Sequence, residues 1–160
     1  MTITKKKKKT KKARTGRQVV NSKKTKVDGI EFASILESTM YKLLKQAGIK
    51  NKYEGESFVT FEPFVLEEAC FERATRRSKE MIDRRKVTKV SYTPDFIGEN
   101  NEWFIEVKGR ANESFSIRWK LFKNMIAQWK NPPLVFKPTN KKDCEQVIKI
   151  LKEHGYGNRT

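Results

Sequence analysis

Asp95, Glu106 and Lys108 are the residues of this chain whose types and spacing could do chemistry. Glu106 and Lys108 stand two apart in an apolar, β-prone run, Trp103-Phe104-Ile105-Glu106-Val107-Lys108, followed by Gly109. Side chains on a strand alternate between faces, so these two point to one side. Asp95, at the end of the preceding strand, joins them there. Holding a carboxylate and an ammonium in a buried strand costs free energy unless they are paired or bind a metal. Two carboxylates beside a lysine are the minimal set for metal-dependent hydrolysis of a phosphodiester. On this reading Asp95, Glu106 and the backbone carbonyl of Val107 hold Mg²⁺, with Mn²⁺ able to replace it. Lys108 then holds or deprotonates the attacking water and stabilises the transition state as a compact charge. The competing reading is a strand-face salt bridge, with Asp95 capping the turn. Gly109 lets a backbone or a phosphate approach closely.

Charge points to a polyanionic partner. The net charge is +17, and residues 1–26 hold twelve Lys or Arg and no acid, which leaves +5 for residues 27–160. Such a run buries no apolar surface and is expected to be a disordered basic arm; Lys5, Lys6, Lys7, Lys8, Lys9, Lys11 and Lys12 are its candidate DNA contacts. The alternative is a solvated tail. The arm has no apolar face to insert into lipid, and no apolar run reaches membrane-spanning length. The single histidine, His154, rules out chemistry built on a histidine cluster. Cys70 and Cys144 lack metal-knuckle spacing and are expected to be reduced structural thiols in a cytoplasmic protein.

The elements that must position the trio follow from periodicity. Apolar residues at helical spacing from Ile30 to Ala47 predict a helix over about residues 29–47, closed by Gly48. Alternation predicts a strand over 56–65, with Pro63 at its end or edge. Residues 66–85, charged with scattered apolar anchors, fit a surface helix or an ordered excursion. A strand over 87–97 carries Asp95, a turn follows at Gly98-Glu99-Asn100-Asn101, and the strand 102–108 carries Glu106 and Lys108. Phe115, Trp119, Phe122, Ile126 and Trp129 share one face of a helix over 114–130, with both tryptophans expected in the core. A short strand, Leu134-Val135-Phe136, and a last helix capped by Thr139 or Asn140 complete the chain. This order predicts an α/β fold, a mixed central sheet flanked by helices. The nuclease domain is expected over 27–160, behind the arm of 1–26.

The segments Tyr92-Thr93-Pro94-Asp95-Phe96 and Phe104-Ile105-Glu106-Val107-Lys108-Gly109, with Glu37 ahead of Lys45-Gln46-Ala47-Gly48-Ile49, carry a resemblance. Over roughly residues 30–125 the pattern resembles the PD-(D/E)xK nuclease superfamily. Within it, the chain is most similar to the junction-resolving endonuclease I of podophages. The resemblance implies a restriction-endonuclease-like fold and a Mg²⁺-dependent endonuclease acting on branched DNA such as a Holliday junction. It further implies a homodimer, phage origin and action in the host cytoplasm. It adds Glu37 to Asp95, Glu106 and Lys108 as a fourth catalytic and metal-site residue, with Glu31 and a merely exposed helix carboxylate as the alternatives. It places Arg118, Lys120 and Lys123 on a helix bordering DNA, where phosphate contact would fix register. The segment 66–86 is longer than the family pattern, and the lysine arm is not explained by it. The second reading is a binding protein, or a virion-associated one, that keeps the fold without catalysis.

Overall fold

The computed structural model describes residues 23–109 and 113–158, so the arm lysines from Lys5 to Lys12 lie outside the described residues. The described chain opens on a hairpin, β1 (Thr25–Val27) and β2 (Ile30–Phe32), which begins inside the segment expected to be disordered arm. Asp28 (φ 51°) and Gly29 (φ 83°) both take left-handed backbone, as a two-residue turn between twisted strands requires. The helix expected from residue 29 is therefore corrected: α1 spans Ile35–Gln46. Ser34 caps it, its hydroxyl accepting from the Glu37 N–H. Gly48 (φ 64°) ends α1, with the N–H of Gly48 on the Lys45 carbonyl and that of Ile49 on the Leu44 carbonyl.

After β3 (Asn51–Tyr53) the chain runs out and back as one antiparallel ribbon. Its outward strand is β4 (Phe58–Phe61), β5 (Phe64–Val65) and β6 (Phe71–Arg73), and its return is β7 (Met81–Asp83), β8 (Lys86–Val87) and β9 (Val90–Tyr92). The pairs nest: Phe58 opposite Tyr92, Phe64 opposite Val87, Phe71 opposite Asp83. Residues 66–85 are thus an ordered excursion and not a surface helix. Pro63 separates β4 from β5, splitting the expected strand 56–65, because a proline has no N–H to give the ladder. Pro94 does the same between β9 and β10 (Phe96–Gly98). Cys70 sits partly exposed in the ribbon, so the expectation of a structural thiol fits only Cys144, which is buried; neither is in a disulfide.

The central sheet has the order β12-β11-β10-β3, with β11 at Trp103–Ile105 and β12 at Leu134–Phe136. β10 pairs antiparallel with both β3 and β11, and β11 pairs parallel with β12. α2 (Glu113–Ala127) and α3 (Lys141–Glu153) complete a mixed α/β fold of three helices among the described residues. Alternation along the strands divides the core. Phe96, Trp103, Ile105 and Val107 pack with Met40 and Leu44 of α1 and Cys144, Val147 and Leu151 of α3. Ile97 and Phe104 pack with Phe115, Trp119, Phe122 and Ile126 of α2, and with Tyr92. Each large side chain so buried contributes about 2–3 kcal/mol. Asn140 caps α3, and His154 is its C-terminal cap residue. Among the described residues no helix is long and apolar enough to cross a membrane.

Candidate active site

The register of the central hairpin fixes the site. Phe96 lies opposite Ile105, and Ile97 opposite Phe104. The ladder and β11 both end at Ile105, which shortens the expected strand over 102–108, and Asp95 and Glu106 lie just beyond that last pair at the same end of the hairpin. The charge of Glu106 bears on Asp95 there, so the pair is held against its own electrostatics. The fold anchors it from the backbone. The Val107 N–H donates to Asp95 Oδ2 at 2.6 Å, while the N–H groups of Glu106 and Lys108 turn the other way, to the carbonyls of Phe136 and Pro138. By the same alternation the Val107 carbonyl faces the Asp95 edge, and its side chain fills the α1–α3 core.

Lys108 and Glu106 share the face that their spacing predicts, with Nζ 3.8 Å from Glu106 Oε1. The ammonium also lies 5.1 Å from the centre of the Phe115 ring, which the first turn of α2 supplies. These groups open into a cleft of about 270 Å³ lined by Tyr92, Thr93, Asp95, Glu106, Lys108, Ser114, Phe115 and Arg118. Residues 110–112, between Gly109 and α2, lie outside the described residues.

The electrostatics of the cleft are those of two carboxylates with too little water. Burial, and then the charges of Glu106 and Glu37, push the Asp95 carboxyl far above the ordinary aspartate range, against the pull of the Val107 N–H and Lys108. Burial likewise raises Glu106, which is 5% exposed; the nearby Tyr92 hydroxyl, Lys108 and Arg118 oppose the rise. The Tyr92 hydroxyl is buried and has no partner at hydrogen-bond geometry among the described residues. It stands close enough to Glu106 that burial, and then the carboxylate's charge, raise its pKa. A cation or a polar ligand in the cleft would relieve all three groups at once. Two carboxylates and a carbonyl are hard oxygen donors, the set that suits Mg²⁺.

Glu37 stands apart from this set. It is 7% exposed, and both its oxygens are occupied within its own neighbourhood. Oε1 accepts from the Ser34 hydroxyl at 2.7 Å, and Oε2 from the Tyr53 hydroxyl at 2.7 Å and the Ala33 N–H at 3.1 Å. Ser34-Ile35-Leu36-Glu37 is a helix-capping box, and its glutamate ties α1 to β3. Its charge reaches Asp95 and Glu106, but among the described residues no group of three His, Cys, Asp or Glu side chains is placed to hold a metal. Glu37 thus bears on the candidate site through its charge, while its hydrogen bonds among the described residues go to Ser34, Ala33 and Tyr53. Glu31, the alternative, lies on β2 and pairs with Lys24 at 2.7 Å. Glu37→Gln is expected to lower stability by about 1–3 kcal/mol, since one accepting oxygen becomes a donor facing donors. Thermal denaturation without metal checks this, and an unchanged transition would return Glu37 to the site.

The three basic residues of α2 do not share a face. Arg118 lines the cleft and donates to the Ser91 carbonyl at 2.6 Å, which fixes its guanidinium beside Glu106. Lys123 flanks the buried stripe on the other side, with its ammonium 5.9 Å from the Trp119 ring centre, and Lys120 projects to solvent. Trp119 is core, as expected, and Trp129 packs partly buried against the same cluster. Tyr92 and Thr93 line the cleft although neither type marks a site by itself. The signal for them is their position before Pro94-Asp95, Tyr92 at the end of β9 and Thr93 just after it.

These features define a mixed α/β protein with a strand-end cleft that holds two carboxylates, a lysine and an arginine. The family described as "Protein of unknown function (DUF1064)" matches residues 17–137, about three quarters of the chain, and the chain belongs to it. No curated protein and no solved structure matches the chain.

Proposed function

We propose that this chain is a divalent-metal-dependent DNA endonuclease of the PD-(D/E)xK kind, selective for branched or distorted DNA. One observation carries the reading: Asp95 and Glu106, just beyond the last paired residues of an apolar hairpin, share a cleft with Lys108. A fold has little reason to keep two carboxylates together at that depth without something that binds both. The mixed sheet, with α1 and α3 on one face and α2 on the other, agrees with the restriction-endonuclease-like architecture that the resemblance implies.

In this reading Asp95, Glu106 and the Val107 carbonyl would hold Mg²⁺ or Mn²⁺. The metal, when bound, activates water and neutralises charge on the phosphorus oxygens. Lys108 orients the attacking water and balances charge on the phosphate. Arg118, braced by the Ser91 carbonyl, holds a non-bridging phosphate oxygen across the cleft. Tyr92 steadies Glu106 from behind and keeps solvent from it.

The test is cleavage of a labelled four-way junction and a matched linear duplex, with Mg²⁺, with Mn²⁺ and with EDTA. Metal-dependent cutting supports the nuclease, and faster cutting of the junction supports the branched substrate. Tight binding of both DNAs with no cutting in either metal would overturn the reading in favour of a binding protein that keeps the fold.

A further inference from the structure

The outer part of the ribbon, from Phe61 to Lys86, is not used by the cleft. Its residues are exposed on both faces, apart from Cys70 and Ser78, which are partly covered. Phe71 and Met81 near its end are each 61% exposed. A two-stranded ribbon with no sheet or helix over it is marginal in water, and exposed apolar side chains on it invite a partner. The turn at its tip is closed by the Ser78 N–H on the Thr75 carbonyl, with the Thr75 and Ser78 hydroxyls 3.0 Å apart. Residues 73–79 hold Arg73, Arg76, Arg77 and Lys79 and no acid. These four cations are exposed and form no ion pair among the described residues, whereas Arg85, further back, is paired with Asp83 at 2.9 Å.

We infer that the tip of this ribbon is a second nucleic-acid contact, gripping the phosphates of the same duplex whose scissile bond lies in the cleft. The inference rests on the nucleic-acid reading of the cleft, because the two are one piece of backbone: β9 ends at Tyr92, which lines the cleft. From Ser78 to Tyr92 the return strand spans on the order of 40 Å. That is close to one turn of B-DNA, about 34 Å. A two-stranded ribbon also fits the width of a major groove. Charge selects the occupant. A second copy of a chain carrying +17 would be repelled by these cations, and a polyphosphate backbone is attracted. With no acid among residues 73–79, the tip suits phosphate oxygens, and Phe71 and Met81 flank it on the paired strands.

The experiment compares the full chain with its triple variant Arg76→Gln, Arg77→Gln, Lys79→Gln, all exposed positions. Binding to a linear duplex of about 30 bp is followed by fluorescence anisotropy in EDTA across a salt series. The variant is expected to bind on the order of tenfold more weakly near 0.1 M salt, with a salt slope smaller by about 2–3. The charge-keeping variant Arg76→Lys, Arg77→Lys should retain wild-type affinity. Equal affinity and slope for the triple variant and wild type would overturn the inference and leave the nuclease reading standing. The expected loss, in a wild-type protein that never cuts in any metal, would support the tip and remove the nuclease. A change in sedimentation on neutralising the tip would show that it joins copies of the chain, and would also overturn the inference.

Discussion

Lys108→Ala is expected to reduce metal-supported cleavage about 10³-fold, the usual cost of removing one group that stabilises transition-state charge. DNA affinity should change little, because Lys108 is one cation among many and the arm and ribbon carry most of the positive charge. The folded state should persist. Lys108 is partly exposed, its ion pair with Glu106 is long at 3.8 Å, and its loss leaves Phe115 packed against Trp119. Lys108→Arg is not expected to rescue. A planar, delocalised guanidinium does not replace a compact ammonium beside water, and its length forces it past Phe115. Single-turnover cleavage with DNA in excess of its dissociation constant separates these effects, since a loss confined to the chemical step moves the rate and not the half-saturation. A variant that cuts at wild-type rate would reduce Lys108 to the salt-bridge partner that the strand alone also allows.

Asp95→Asn is expected to stabilise the metal-free protein at about pH 8 by on the order of 1–2 kcal/mol, while abolishing stabilisation by Mg²⁺. The sign follows from proton linkage. Burial, with Glu106 and Glu37 nearby, raises the Asp95 carboxyl from 3.8 to about 8 in the folded chain. Between those values the native state holds more protons than the unfolded state, so stability falls as pH rises. That contribution is fully present below 3.8 and lost as pH passes through the raised value. An asparagine has no proton to lose, so it removes this slope. It also removes the carboxyl on which the charge of Glu106 acts. On the proposed reading Mg²⁺ would take the place of the proton in wild type, so its stabilising effect should grow with pH. Thermal denaturation from about pH 5 to about pH 8, in EDTA and in Mg²⁺, reads all three effects. Parallel curves for wild type and variant would show that Asp95 is not one of two neighbouring carboxylates.

These two expectations concern residues that the sequence located by itself. Glu106 and Lys108 lie past the end of β11, yet they share a face because the chain keeps a two-residue alternation there, with both N–H groups turned to the Phe136 and Pro138 carbonyls. The aromatic stripe of α2, the Gly48 stop and the Asn140 cap were legible for the same reason: each is a local rule acting within a turn or two of chain. Two misreadings came from local rules in competition. The apolar spacing from Ile30 suited a helix, but Asp28-Gly29 closes a hairpin, and Ser34 with Glu37 starts the helix instead. Residues 66–85 show no strong period, since a ribbon exposed on both faces needs none.

What only the tertiary structure decided was the company that each charge keeps. The sequence places Glu37 on a helix, but its partner Tyr53 arrives from β3, and that bond ties Glu37 to the cap while its charge still reaches Asp95 and Glu106. Arg118 and Lys123 are indistinguishable as basic residues of one helix. The sheet beneath α2 puts one in the cleft and leaves the other on the far flank. The meeting of Asp95 and Glu106 at one end of the hairpin depends on its register, which is set by the turn at Gly98–Asn101 and by core packing on both faces of the sheet. Sequence thus determined which groups could act and on which face of their own strand or helix they lie, because those follow from backbone periodicity. Distance, burial and the raised carboxylates belong to the fold, because they arise between segments that meet only when the sheet closes.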